Sequence, residues 1–320
     1  MIHEYAVAPE LVARWADHKE GRHFIDKFGI GSSRIISRYP RKQWKKQVWT
    51  AWQARSRDSQ SDRKRMRELI KRLSHVMVQR LHAGWRPDRS WTENAVEEHR
   101  RIPFQAILAA DDAVQDPSVL FADDVDGANA LWGIQRSRIV PRRAVRIAGV
   151  MRDMLRAATD IVFIDPYFTP NHPRYVDVIG ACVRASRERR AVGDSRIRIF
   201  GAVRDGSEES EFFKEGCQEQ LSSVLPRGQE ATICRLSERS VGEKLHNRYI
   251  LTEHGGVAFG TGLDEGREGA TDDLTLLDRD SYRLRWNQYA SDQPAFDRLE
   301  DEITVVGSGP VTARARPASP

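Results

Sequence analysis

The 320-residue sequence predicts an α/β protein: a mixed, largely parallel sheet flanked by helices, preceded by a basic, mainly helical region. Three observations carry this. The run DIVFIDPYF (160–168) is apolar without alternation and closes on Asp-Pro, the pattern of a strand buried on both faces. A helix-period segment, RYVDVIGACVRASRERR, and a second apolar run, RIRIFGAV, follow it, making a βαβ unit with a parallel pair. Upstream, residues 41–84 combine helical periodicity with dense Lys and Arg.

RKQWKKQVWTAWQARS places Trp44, Val48, Trp49 and Trp52 at helical spacing and leaves Arg41, Lys42, Lys45, Lys46 and Arg55 largely on other faces. SDRKRMRELIKRLSHVMVQRLHAG reads as a helix capped at Ser61 or Asp62, with Met66, Leu69, Ile70, Leu73, Val76, Met77 and Leu81 on one stripe and a stop at Gly84. Two packed helices with one cationic surface result, to which Arg63, Lys64, Arg65 and Arg67 also contribute. SWTENAVEEHRRIPF is a capped helix ended by Pro103, and DDAVQDPSVLFADDVDGAN a surface loop with a short apolar insert. ALWGIQRSRIVPR reads as a strand, and RRAVRIAGVMRDMLRAAT as a helix with Val145, Ala148, Met151, Met154 and Leu155 inward.

Beyond the βαβ unit, ESEFFKEGCQEQLSSVL is helical, EATICRL is a further strand, and HNRYILTE with GVAFGTG form a hairpin turning at Gly255-Gly256. SYRLRWNQYA and PAFDRLEDEITVV close the domain as helices. The expected division is 1–139, 140–306 and a Gly/Pro/Ser-rich tail, 307–320, expected to be disordered.

Composition narrows the function classes. No run approaches the roughly 18 apolar residues of a bilayer span and no apolar leader opens the chain, so a soluble, cytoplasmic protein is expected. Cys182, Cys217 and Cys234 lack C-x-x-C spacing, which points to reduced buried thiols and to neither a disulfide framework nor a zinc knuckle. No cofactor is called for. From Arg34 to Arg89 there are 17 Lys or Arg against 4 Asp or Glu, a local excess of 13 on a chain of net charge +5. Such a field attracts polyanions, nucleic acid or acidic lipid headgroups. A solvated helical face would leave the same signature. Five of the eight tryptophans lie between Trp44 and Trp91, either as core residues or as a platform for bases.

On the predicted hairpin, alternation sends His246, Arg248 and Ile250 to one face. An imidazole beside a guanidinium is intelligible if an anion lies between them. The spacing resembles the phospholipase D superfamily pattern H-x-K-x4-D followed by G-S-x-N. His246 matches the histidine, Arg248 stands at the usual lysine, Glu253 at the usual aspartate and Gly260-Thr261 at the usual Gly-Ser; Leu263, beside Asp264, replaces the asparagine. DPYF is also similar to the end of that superfamily's first core strand. More narrowly, H-x-R with GTGLD is similar to the phospholipase D-like domain at the C-terminus of microtubule-interacting-and-trafficking proteins, a phosphoinositide-binding module. The resemblance covers residues 140–306 and gives nothing for 1–139.

What the resemblance implies is a single phospholipase D-like lobe and metal-independent phosphodiester chemistry. His246 attacks phosphorus to form a phosphohistidine, Arg248 and Thr261 hold phosphate oxygens, Glu253 or Asp264 orients an imidazole, and a second histidine protonates the leaving oxygen. This chain has one good copy of the motif. The second histidine would come from a symmetric homodimer, or be His172 in TPNHPRY beyond the DPYF strand. Joined to the basic segment, this predicts a nuclease-like phosphodiesterase acting on nucleic acid, for which prokaryotic phage defence is one setting. The alternative of a different class is a catalytically silent module that binds nucleic-acid or phosphoinositide phosphates and recruits a partner protein.

Overall fold

Residues 2–135, expected to be mainly helical, are built on a parallel sheet. The computed structural model describes residues 1–309 except 17–20, 22–23, 25, 56–58, 75–76, 82, 189–191, 205–206 and 292–293. It divides into two units, Ile2–Gln135 and Arg136–Glu188 with the chain from Asp194 onward.

In the first unit the order is β1 (His3–Val7), α1 (Pro9–Arg14), β2 (Arg34–Ser37), α2 (Trp44–Arg55), α3 (Gln60–Ser74), β3 (Met77–Val78), α4 (Trp91–Arg101), β4 (Ala106–Ala109) and β5 (Val119–Phe121). The strands lie in the order β3-β2-β1-β4-β5, every neighbouring pair parallel. HEYAV, RIIS and AILA are too short for periodicity to separate strand from helix, which is why they escape a sequence reading. β5 is the apolar insert of the predicted acidic loop.

The basic helices form, with corrections. α2 packs on α1 and buries Trp44, Val48 and Trp52. α3 starts one turn before the expected cap, Ser59 Oγ accepting from the Asp62 amide at 3.2 Å, and buries Met66, Leu69 and Leu73. It ends at Ser74, not Gly84: Met77 and Val78 leave the helical stripe to pair with Ile36 and Ser37. Val76 lies outside the described residues. Trp44, Trp52 and Trp91 are buried, and Trp49 and Trp85 pack against the same core, so these tryptophans belong to the core. α4 carries the predicted cap as a full capping box, Ser90 Oγ accepting from the Glu93 amide and Glu93 Oε2 from the Ser90 amide.

One cation of the basic segment is internal. Arg80 is fully buried: its Nε and Nη2 each donate to one Glu4 oxygen at 2.9 Å, and Nη1 donates to Glu98 Oε1 at 2.9 Å and to the Ile102 carbonyl at 2.7 Å. Its guanidinium lies 3.6 Å from the Phe104 ring centroid.

The second unit runs β6 (Ser137–Pro141), α5 (Ala144–Ala157), β7 (Asp160–Ile164), α6 (Pro173–Arg187), β8 (Arg196–Ala202), α7 (Ser210–Gly216, continued by a π turn), β9 (Glu230–Ser237), β10 (Arg248–Thr252), β11 (Gly255–Phe259), β12 (Thr271–Leu276), α8 (Arg279–Ala290), β13 (Asp297–Arg298) and β14 (Ile303–Val306). The sheet order is β13-β9-β8-β7-β10-β11-β12-β6, with β14 also on β9. β7, β8 and β9 are parallel, as the βαβ reading requires, and the other pairs are antiparallel. The outer margin of β9 is covered by β13 and β14. The other margin, β6, carries Ile139 at 72% exposure.

Four expectations change here. On α5, Val145 is 76% exposed and Ile147 takes its inward place, setting the buried stripe at Ile147, Met151, Met154 and Leu155. The hairpin turns at Glu253-His254, since Thr252 pairs with Gly255. Gly255 and Gly256 belong to β11, and a Cβ on Gly256 would come within 2.4 Å of the Leu251 side chain, so packing excludes one there. PAFDRLEDEITVV contains β13 and β14 in place of a helix, consistent with its β-branched Ile303-Thr304-Val305-Val306 run. β12 alternates outward and inward, but its first inward residue is Asp272, which masks the apolar alternation of a strand. Of the tail, Ser308 and Gly309 donate backbone bonds to the Ser222 and Leu225 carbonyls; residues 310–320 lie outside the described residues.

Candidate functional site

Because β10 runs antiparallel to β7, the first residue of β10 and the residue after β7 meet at one edge of the sheet. Tyr249 pairs with Ile164, bringing Arg248 Nε to 3.9 Å from Asp165 Oδ1. Arg248 also pairs with Phe259 at the end of β11, so Gly260 and Thr261 arrive at the same edge. His246 precedes the strand by two residues and is exposed. It lines an open cleft of about 770 Å³ together with Arg204, Glu238 and Lys244.

Beneath Arg248 lies a set of fixed charges. Asp165 is 3% exposed; its oxygens accept from the Tyr167 and Leu263 amides, both at 2.8 Å. Burial pushes the Asp165 carboxyl above the usual carboxylate range despite these two bonds and the pull of Arg248. Asp264 is held between Arg142 and Arg174, the latter at 3.2 Å. Gly262 threads between the two carboxylates: a Cβ there would stand 2.5 Å from Asp264 Oδ1 and 3.6 Å from Asp165 Oδ2. Asp272 Oδ1 accepts from the Thr261 amide at 2.9 Å, fixing the turn after β11. Arg248 Nε, though buried, has no hydrogen-bond partner among the described residues.

Arg204 and Arg248 both lie over the Tyr167 ring, at 4.0 and 4.5 Å from its centroid. Arg204 also donates to the Leu245 carbonyl, and Glu238 accepts from the Leu245 amide at 2.8 Å. The residue before His246 is therefore pinned through both of its backbone groups.

The structure thus brings His246, Arg248 and Thr261 to one edge and does not bring Glu253. That carboxylate sits at the far end of β10, where it accepts from the Thr159 amide at 2.6 Å, the Thr159 hydroxyl at 2.8 Å and the Asp160 amide at 3.2 Å. It ties the hairpin to the start of β7 and orients no site imidazole. Nor does Asp264, whose oxygens face arginines. His172 is exposed just before α6, in the loop that carries Asp165 and Tyr167, and its ring meets the edge of Tyr175 at 6.3 Å. Arg41, Lys42, Lys45, Lys46, Arg63, Lys64, Arg65 and Arg67 are exposed on the first unit. Asp165, Tyr167, Arg204 and Asp272 are the residues a sequence reading misses. DPYF marks the first two as a strand end, whereas nothing local marks Arg204 or Asp272.

The elevated Asp165 pKa gives a directional pH effect. As pH falls through that pKa, the carboxylate 3.9 Å from Arg248 Nε loses its charge. A carboxyl whose folded-state pKa is raised favours the fold when protonated, so stability is expected to fall as pH rises through that pKa and Asp165→Asn to lose this slope, read by urea unfolding over a pH series. An unchanged slope in Asp165→Asn would count against it.

Among the described residues no group of three or more His, Cys, Asp or Glu is placed to hold a metal ion, and no helix is long and apolar enough to cross a membrane. No family model matches the chain and no curated protein matches it. Among solved structures it is similar to TrmBL2, an archaeal chromatin protein described as having a novel mode of DNA binding, at 13% identity and a TM-score of 0.24. That match covers 48% of this chain and 50% of the other.

Proposed function

We propose that this edge binds the phosphodiester backbone of nucleic acid, with one phosphate held between His246 and Arg248, in a phospholipase D-like lobe. The observation that carries the reading is the exposed imidazole of His246 on an open cleft, two residues before the half-buried Arg248, whose Nε has no hydrogen-bond partner among the described residues. A buried N–H without a partner is costly, and an oxyanion reaching this end of β10 would satisfy it. Arg204 lines the same cleft and adds a second guanidinium. The exposed cations of α2 and α3, on the same chain, supply the long-range attraction such a backbone site needs.

The test is fluorescence anisotropy of a labelled oligonucleotide over a salt series. Binding should weaken with salt, the logarithm of affinity falling linearly with the logarithm of salt concentration. Lys45→Ala with Lys46→Ala should shallow that slope by about one for each phosphate these lysines neutralise, without touching the lobe. A slope unchanged by the pair would remove α2 from the interface. His246→Ala and Arg248→Lys should each weaken binding. If neither does, the assigned site is wrong.

A second reading, hydrolysis, is favoured by the exposure of His246, which leaves an imidazole nitrogen free to reach phosphorus. It requires a proton donor for the leaving oxygen, which a second copy's His246 would supply across a two-fold interface. Cleavage that persists in EDTA and disappears in His246→Ala selects this reading. Binding without turnover selects the first. Phosphoinositide vesicles that displace the oligonucleotide would redirect both readings toward lipid phosphate.

A further inference from the structure

The His246 cleft has a neighbour. Ala202 and Arg204 line both it and a second cleft of about 440 Å³, on the other side of Arg204, whose walls include Tyr167, Phe168 and Phe213. The polar groups there are largely committed. Glu208 accepts from the Thr169 hydroxyl and from Asn171 Nδ2, and Arg235 is paired with Glu300. What remains on offer is flat and amphipathic: Tyr167, 40% exposed, and the guanidinium of Arg204 stacked on it. Phe168 and Phe213 are buried behind and meet edge to face at 6.1 Å, giving the cleft a rigid aromatic floor.

We infer that this second cleft is a nucleobase subsite, taking an unpaired base against the Tyr167–Arg204 flank while the phosphate of the same strand lies on Arg248 and His246. The inference rests on the phosphate reading above and adds a substrate class to it, single-stranded nucleic acid. Every base has a π face, and stacking on aromatic rings or guanidinium planes is the sequence-tolerant way to hold one. The aromatic walls set the strand's orientation: the cleft with Tyr167, Phe168 and Phe213 suits the uncharged base, which leaves the backbone to the side with His246, where Lys244 is already paired with Glu238. In a duplex the base is stacked and paired, and reaching the cleft would require unstacking and unpairing it. Single strands are therefore the preferred ligand.

The test compares three labelled ligands of equal length on the full chain by anisotropy: a single strand, the same strand made wholly of abasic sites, and a duplex. The expected result is that the single strand binds about 5- to 150-fold tighter than the abasic strand, the range of one stacked base. Tyr167→Ala should erase that difference by weakening the intact strand more than the abasic one, and Tyr167→Phe should retain it. If single and abasic strands bind wild type equally, the subsite is rejected and the phosphate reading stands. Failure of all three to bind means the phosphate reading itself fails. Should Tyr167→Ala weaken the abasic strand as much as the intact one, Tyr167 acts only by steadying Arg248, and the subsite is likewise rejected. The wild-type comparison decides the matter even if Tyr167→Ala does not fold.

Discussion

Arg80→Met is expected to destabilise the first unit by about 3–5 kcal/mol, because it leaves two carboxylates in a dry core without their cation. Glu4 is bonded to Arg80 through both oxygens, and Glu98 through Oε1. Glu98 keeps Arg101, whose Nε and Nη2 reach it at 2.9 and 2.7 Å, but Glu4 keeps no comparable partner among the described residues. In a unit of this size the loss corresponds to a fall in melting temperature on the order of 10–20 °C. Calorimetry on the full chain reads it. The asymmetry is the informative part: replacing a whole buried ionic network by apolar side chains is often neutral, so Arg80→Met with Glu4→Leu should recover much of the loss. An Arg80→Met protein within about 1 kcal/mol of wild type would show that the network contributes little.

Arg248→Ala is expected to weaken oligonucleotide binding by about 1.5–3 kcal/mol, or 10- to 150-fold, the value of hydrogen bonds to a charged group. Arg248→Lys should fall between, since an ammonium keeps the charge and loses the planar fork that grips two phosphate oxygens. Removing Arg248 also strips Asp165 of its nearest cation, so weaker binding could reflect a disturbed edge. Asp165→Asn with Arg248→Ala separates the two: the double variant should fold at least as well as Arg248→Ala and still bind poorly. Restored binding in the double variant would assign the effect to Asp165, not to the grip of Arg248 on phosphate.

What can be read from the sequence follows physical scale. α2, the Ser90 capping box, the βαβ unit and the β10–β11 pair rest on signals contained within a dozen residues, and each is present. The site is legible to the same extent. Arg248 and Thr261 share an edge because hairpin register carries them there, and His246 joins them from the turn just before β10. Strands of four or five residues, such as Arg34–Ser37 and Ala106–Ala109, become strands only because neighbours pair with them, which no local pattern announces. Arg80 is one of seventeen cations in a basic segment, and only tertiary structure sends it inward. Glu253 matches its motif position by count, yet it lies just past the far end of the five-residue strand that Arg248 opens, so counting along the chain assigns two ends of one element to one site. Arg204 and Asp272 enter through crossovers and pairing, at distances along the chain that spacing rules do not span.

The unequal margins of the C-terminal sheet bear on how the chain behaves when crowded. One side ends in the short strands β13 and β14, and the other in β6, where Ile139 projects and an extended peptide could pair. That strand is five residues long and ends on Pro141, which has no amide hydrogen to give. Brevity and a missing donor thus act as a brake on fibre-like growth from this flank.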